Sequence, residues 1–185
     1  MVGIAADSGS ELTSAVAAYH FGSLMFGTTT SATHIAMVEI DPETFEVRVE
    51  RFAVAEDCGR LVNPMIVDGQ IFGGLAQGIG TALYEEMPFD SAGQPLATTL
   101  ADYLLPGPTE VPEPRLDHME TPSPYTMFGV KGIGEGGAIA PPAAITNAVN
   151  DALRPLGVKL LHSPISPRRL VAAVLATRRV EGESA

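Results

Sequence analysis

One carboxylate, Glu135, stands in the most glycine-rich stretch of the chain, residues 129–142. Glycines on both sides would let a ligand or a second backbone approach this carboxylate without intervening side chains. A helix that begins nearby favours a negative charge, so the residue suits the role of general base. The alternative is a solvated acid in a tight glycine turn, and the residues alone leave it open. Lys131 could pair with Glu135, bind an anion or face water.

The same stretch contains the spacing G-x-G-x-x-G, at positions 132, 134 and 137. In dinucleotide-binding folds this pattern directly follows a buried strand and opens a helix. Here it follows residues 121–128, a segment that contains two prolines and does not read as a buried strand. We therefore reject a dinucleotide site.

Other chemistries find less support. The histidines, at positions 20, 34, 118 and 162, have no paired spacing of the kind that metal ligands show, so no metal ligand is assigned. Cys58 has no nearby histidine and is predicted to be a small buried residue rather than a nucleophile. A single cysteine also excludes a disulfide framework or a multi-cysteine iron–sulfur site within this chain.

A long apolar segment, residues 65–86, is predicted to form a helix in spite of five glycines, at positions 69, 73, 74, 78 and 80. Each glycine costs an isolated helix about 0.5–1 kcal/mol relative to alanine. Such a helix makes sense if its bare face receives a ligand or packs tightly against another backbone. Both alternatives remain open at this point.

The other elements indicate an α+β fold of antiparallel strands with packed helices. Residues 32–40 and 45–55 have apolar, partly alternating patterns around an Asp-Pro turn, which predicts a hairpin. Seven prolines make residues 89–125 irregular, apart from a short strand beginning at Arg115. A helix is predicted over 143–153, behind two prolines, and another from Pro167, with an apolar stripe that includes Leu175. Between them, residues 159–163 are predicted to form a short strand. The structure of residues 1–31 is uncertain from the sequence, with either a helix or a strand over residues 11–20. We expect residues 32–180 to form one domain and residues 181–185 to be a tail.

Composition and charge narrow the class of protein further. The 185 residues are 45% hydrophobic and 18% charged, which is typical of a globular chain, and the net charge of −11 argues against duplex nucleic acid as a partner. No apolar run reaches the roughly 20 residues that a membrane span requires. Residues 1–10 contain no Lys or Arg, so we expect no secretory signal and a cytoplasmic location.

Two long motifs, residues 57–80 and 131–137, resemble the C-terminal part of the molybdenum-binding subunit of molybdenum hydroxylases. Their sequences are DCGRLVNPMIVDGQIFGGLAQGIG and KGIGEGG. The family includes xanthine dehydrogenase, aldehyde oxidase and aerobic carbon monoxide dehydrogenase. The resemblance extends over residues 32–175 and implies that the chain is the C-terminal portion of a molybdopterin-binding domain.

The resemblance also implies roles for individual residues. The glutamate that matches Glu135 is the general base beside molybdenum, where it takes a proton from a metal-bound hydroxyl during hydroxylation of an aldehyde, an N-heterocycle or a similar substrate. The glutamine that matches Gln70 lies against the pterin, and Gly69 and Gly134 are further expected cofactor contacts. Gln77 and Lys131 match the motifs without a firm role. The implied cofactor is molybdenum–molybdopterin in the cytosine dinucleotide form, with [2Fe-2S] clusters and FAD on partner chains.

A complete molybdenum subunit of this family is several times longer than this chain. We therefore expect a fragment or one piece of a split subunit, active only in a hetero-oligomer with the rest of the subunit and with iron–sulfur and FAD subunits. Exposed apolar surface would then be an interface with the missing part. The alternative function is that of a non-catalytic structural subunit that retains the fold.

Overall fold

The computed structural model describes residues 28–183, with only the backbone described from residue 178 onwards. The predicted helix or strand over residues 11–20 lies outside this range. No helix in the described range is long and apolar enough to cross a membrane.

A three-stranded sheet begins with the predicted hairpin, formed by β1 (Ser31–Ile40) and β2 (Val47–Asp57) in antiparallel register. Burial alternates along the first residues of β2, because the side chains of a strand point to opposite faces in turn. A third strand, β3 (Arg115–His118), pairs with β2 in parallel, so the sheet is mixed, with β1 and β3 as its edges. The rest of residues 89–125 contains neither a helix nor another extended strand, as the prolines predict.

The predicted glycine-containing helix is α1 (Pro64–Leu83). The side chain of Asn63 caps its first turn by accepting a hydrogen bond from the backbone N–H of Ile66, and proline occupies the first helical position. One face of α1 enters the core through six buried residues, Val67, Ile71, Leu75, Ile79, Ala82 and Leu83. This burial compensates for the weak intrinsic helix preference of the glycines.

Three more helices follow: α2 (Gly136–Ile139), α3 (Pro141–Leu153) and α4 (Pro167–Glu183). Helix α3 packs between β1 and α1, and α2 packs against α1. The described part of the chain therefore has one shared core, to which β2, α1, α3 and α4 all contribute.

Two details of the C-terminal region differ from the prediction. Residues 159–163 are not a strand, because the side-chain amide of Asn150 takes the place of a neighbouring strand: its Oδ1 accepts from Leu160 N at 2.7 Å and its Nδ2 donates to Leu160 O at 3.0 Å. In α4 the buried residues Leu170 and Val174 follow the predicted stripe, but the side chain of Leu175 is 50% exposed.

Candidate functional site

The loop that carries Glu135 is held between two other segments by backbone hydrogen bonds. Lys131 N donates to Cys58 O at 2.7 Å, just beyond the end of β2. On its other side, Thr30 N donates to Gly132 O at 3.1 Å. Glu135 itself is exposed and precedes the single turn of α2, and its side chain makes no capping hydrogen bond. The carboxylate is thus presented to the outside by a loop whose backbone is fixed.

Lys131 is fixed by a nearly buried ion pair with Asp57, the last residue of β2. Its Nζ lies 3.1 Å from Asp57 Oδ1, and the two side chains are only 12% and 10% exposed. The same oxygen accepts the backbone N–H groups of Gly59 and Thr121, at 3.0 and 3.1 Å. Burial opposes the charge of Asp57, but the hydrogen bonds from Thr121, Gly59 and Lys131 prevail and hold the pKa of this carboxyl well below its usual range. Lys131 therefore anchors the loop instead of facing water.

Helices α1 and α2 touch backbone to backbone. A Cβ atom placed on Gly137 would lie 2.7 Å from Ile71 O and 3.1 Å from Gln70 O. A Cβ atom on Gly74 would lie 2.6 Å from the carbonyl carbon of Gly137. Only glycine permits this approach, so it brings Glu135, two residues before Gly137, beside the turn of α1 that carries Gln70.

Other glycines at the same place face open space. Among the described residues, a Cβ atom on Gly69, Gly73 or Gly134 would meet no atom within 4 Å. Gln70 is exposed next to Gly69, just as Glu135 is exposed next to Gly134. Bare backbone flanked by one amide and one carboxylate leaves room for a large organic cofactor, and the amide can both donate and accept hydrogen bonds. These residues fit a molybdopterin group.

The turn of α1 that carries Gln70 is also tied to the sheet. His118 Nε2, on β3, lies 2.7 Å from Oδ1 of Asp68, two residues before Gln70. The two side chains are 23% and 43% exposed. Both halves of the candidate site are therefore attached to the same sheet, the loop through Asp57 and the helix through Asp68.

Comparison with known proteins identifies the family. The family model of the molybdopterin cofactor-binding domain matches residues 4–112. The chain belongs to this family. The matched residues include Gly69 and Gln70, whereas Glu135 lies beyond them.

Individual relatives extend the match further along this molybdopterin-binding chain. It is 46% identical over 149 residues to the nicotine 6-hydroxylase large subunit of Paenarthrobacter nicotinovorans, which covers 80% of the chain and 18% of that protein. It is 42% identical over 137 residues to the carbon monoxide dehydrogenase large chain of Hydrogenophaga pseudoflava, covering 74% of the chain and 17% of that protein. The crystal structure of quinoline 2-oxidoreductase from Pseudomonas putida 86 superposes with a TM-score of 0.75 at 50% identity, over 77% of this chain and 18% of that one.

These matches confirm the resemblance to molybdenum hydroxylases and the α+β fold of a molybdopterin-binding domain. The chain spans less than a fifth of the length of the curated relatives it matches. Those two relatives are named as the large subunit or large chain of their enzymes.

The residue-level predictions have mixed outcomes. Cys58 is buried and free, as predicted, and burial raises the pKa of its thiol. Tight packing against another backbone is confirmed at Gly74, whereas Gly69 and Gly73 face open space among the described residues, where the ligand explanation stays a prediction. No group of three His, Cys, Asp or Glu residues in the described range could hold a metal ion. The roles of Glu135, Gln70, Gly69 and Gly134 remain proposals.

Sequence reasoning missed Glu56 and Asp57, the two acids that end β2. Both are buried, at 1% and 7% exposure, and both contact the loop of Glu135. A weak signal was available: a strand pattern of alternating residues ends here in two consecutive acids, directly before the Cys-Gly of the first motif.

Proposed function

We propose that this chain is the C-terminal segment of the catalytic subunit of a molybdenum hydroxylase, with Glu135 as the general base and Gln70, Gly69 and Gly134 as cofactor contacts. The observation that carries the proposal is the glycine contact between α1 and α2. The contact packs Gly137, two residues after Glu135, against the backbone of Gln70, and both side chains are exposed next to glycines that face open space in the described part of the chain.

In the mechanism we propose, the molybdenum cofactor, when bound, supplies a water-derived oxygen for transfer and accepts two electrons. Glu135 accepts the proton that is released as the oxygen is transferred to carbon, which is ordinary general-base catalysis by a positioned carboxylate. Gln70 orients the pterin through its amide, and Gly69 and Gly134 allow the cofactor to approach the backbone. The ion pair between Lys131 and Asp57 holds the base in place between turnovers.

The substrate class that we propose is an aldehyde, an N-heterocycle or a similar electron-poor carbon. The names of two of the relatives, nicotine 6-hydroxylase and quinoline 2-oxidoreductase, support an N-heterocycle within this class. Turnover would proceed only in a hetero-oligomer, in which partner chains carry [2Fe-2S] clusters and FAD. We also propose the cytosine dinucleotide form of the cofactor and a reducing, cytoplasmic compartment, in keeping with the free thiol of Cys58.

The remainder of the molybdenum subunit is the first partner that we propose. Ile35 and Met37, on edge strand β1, are 60% and 56% exposed, which is unfavourable for large apolar side chains in water. The chain covers only 18% of the nicotine 6-hydroxylase large subunit, so most of a subunit of that size is available to cover this edge.

The decisive test is Glu135→Gln in the complete, assembled enzyme. We expect turnover to fall by about 10²–10⁴-fold, because glutamine keeps the shape but cannot accept the proton. Molybdenum per subunit should stay unchanged. Glu43→Gln is the matched control, since Glu43 is an exposed glutamate in the turn between β1 and β2. Full activity of Glu135→Gln would refute the role of base.

Metal analysis distinguishes the proposed catalytic segment from the alternative, a non-catalytic structural subunit. A complex purified with this chain should contain molybdenum, iron and flavin in fixed ratios. A stable complex without molybdenum would favour the structural role and would contradict the proposed cofactor contacts.

A further inference from the structure

Strand β2 ends in two consecutive buried carboxyl groups, Glu56 and Asp57, and buried acids are rare unless they have specific partners. Asp57 pairs with Lys131, at the start of the loop. Glu56 lies beneath Gly136, at the end of the loop: a Cβ atom on Gly136 would be only 2.5 Å from Glu56 Oε1. The two acids therefore enclose the four residues 132–135, the last of which is Glu135.

The hydrogen bonds of Thr30 connect Glu56 and Asp57 to the segment that precedes β1. Thr30 Oγ1 lies within hydrogen-bond reach of two acceptors, Glu56 Oε1 and the backbone carbonyl oxygen of Asp57, the latter at 3.0 Å. One hydroxyl group has one proton to donate. Thr30 donates this proton to Glu56 Oε1, and the Asp57 carbonyl is a second acceptor beside it, so the side chain of Thr30 links the ends of both acidic residues.

The burial of Glu56 favours the neutral form of its carboxyl group. Burial raises the pKa of this carboxyl group, the hydrogen bond of Thr30 and the charge of His118 act in the opposite direction, and Asp57 raises it again. Its Oε2 is buried without a hydrogen-bond partner in the described part of the chain, which a charged carboxylate would tolerate poorly. On β1, burial lowers the pKa of His34, against a smaller opposite effect of a hydrogen bond with the Gly136 backbone.

We infer that Glu56 and Asp57 are the positioning residues of the catalytic loop, Glu56 as the buried carboxyl group beneath Gly136 and Asp57 as the partner of Lys131. This inference rests on the proposed function, because it matters for the reaction only if Glu135 is the base. Neither residue touches the reacting atoms. They determine where the carboxylate of Glu135 stands.

The test compares Glu56→Gln with Glu56→Ala in the complete enzyme, and measures kcat, KM and hydrogen–deuterium exchange in residues 130–140. Glutamine keeps the volume and an oxygen that can accept from Thr30 Oγ1, whereas alanine leaves a cavity beneath the loop. For Glu56→Ala we expect kcat to fall by about 10²-fold with little change in KM, because a displaced base impairs chemistry more than substrate binding. Exchange in the loop should accelerate. Glu56→Gln should recover about tenfold or more of the lost kcat.

Glu50→Ala is the matched control, since Glu50 is an exposed glutamate of the same strand. It should leave kcat and exchange unchanged. Normal kcat and exchange in Glu56→Ala, or equal loss in Glu56→Gln and Glu56→Ala, would overturn the inference. The exchange measurement does not depend on chemistry, so the inference can fail while Glu135→Gln still abolishes turnover, and the reverse result is equally distinguishable.

A second pair of variants applies if Glu56→Ala does not fold. Gly136→Ala should reduce kcat by about 10²-fold, since its added methyl group would meet Glu56 Oε1 and displace the loop. Combining it with Glu56→Asp, which is shorter by one methylene, should restore part of the loss. Simple additivity of the two changes would contradict direct contact between these residues.

Discussion

The contact between α1 and α2 predicts that two adjacent glycines of one helix respond in opposite ways to the same substitution. A Cβ atom on Gly74 would lie 2.6 Å from the carbonyl carbon of Gly137 and 2.7 Å from the backbone nitrogen of Ala138, whereas ordinary contact begins at 3.4 Å. These are backbone atoms, which cannot rotate away. Gly74→Ala must therefore move α2, and the loop ahead of it, by about 0.8 Å, the difference between 3.4 and 2.6 Å. A Cβ atom on Gly73 would meet nothing within 4 Å.

This displacement has a calculable consequence for catalysis and for stability. Misplacing a catalytic group by about 1 Å costs about 10²-fold in rate, so we expect kcat per bound molybdenum to fall by that order in Gly74→Ala. Overpacking costs about 1–3 kcal/mol, against about 1 kcal/mol gained from the better helix preference of alanine. Gly73→Ala should have the better helix preference of alanine without the steric overlap that Gly74→Ala introduces.

The assay compares the two variants in the assembled enzyme, purified with and without molybdenum. In the molybdenum-free form, the unfolding temperature of Gly74→Ala should fall and that of Gly73→Ala should not. In the molybdenum-loaded form, kcat is divided by the molybdenum content. A lower ratio then reports a displaced Glu135 and not a loss of bound cofactor. If Gly74→Ala matched Gly73→Ala in both measurements, the backbone contact would not determine the position of Glu135, and the reasoning would be refuted.

Three further predictions concern the groups around the base. Lys131→Met should destabilise the enzyme by about 3–5 kcal/mol in thermal or urea unfolding, because it leaves the carboxylate of Asp57 buried without its cation, and an unchanged midpoint would contradict this. Gly69→Ala should lower molybdenum per subunit without lowering the unfolding temperature of the molybdenum-free form, and full loading would exclude a cofactor contact there. Burial raises the pKa of Glu56, so the folded protein holds the proton of this carboxyl group more tightly than the unfolded chain does, and the wild type loses stability when the proton leaves. Glu56→Gln has no such proton to lose. It should therefore match the stability of the wild type below pH 4.5 and exceed it increasingly as the pH rises through the raised pKa of Glu56. If Glu56→Gln were more stable than the wild type only at low pH, the pKa of Glu56 would be lowered instead of raised, and the charge of His118 would be the cause to examine.

Local patterns predicted most of the fold. The alternating residues of β2 and the Asn63-Pro64 start of α1 each indicate their element within a few residues. The short strand predicted over residues 159–163 was wrong, because an apolar run says nothing about which group satisfies its backbone. In the structure that group is the side chain of Asn150.

The candidate site was predictable only in part. The motifs predict Glu135 and Gln70 as site residues, but the residues that hold the loop of Glu135 are paired over long distances along the chain, such as Lys131 with Asp57, 74 positions apart. No local periodicity reveals such a pair. Lys131 was left with three possible roles for this reason, and none of the three named its partner.

The geometry of α1 would allow one helix to serve both the proposed cofactor contact and the proposed base. At about 100° per residue, Gly69 and Gly73 form one stripe, and Gly74 and Gly78 form a second stripe about 140° further around the helix. The first stripe is open, while the second packs against Gly137 and Pro141. Gln70 lies about midway between the two stripes, at about 100° from Gly69, so its amide stands on the boundary between open space and the loop of Glu135. A side chain there can reach a bound cofactor without leaving the loop, which is why the glycines have to be divided between two faces rather than gathered on one.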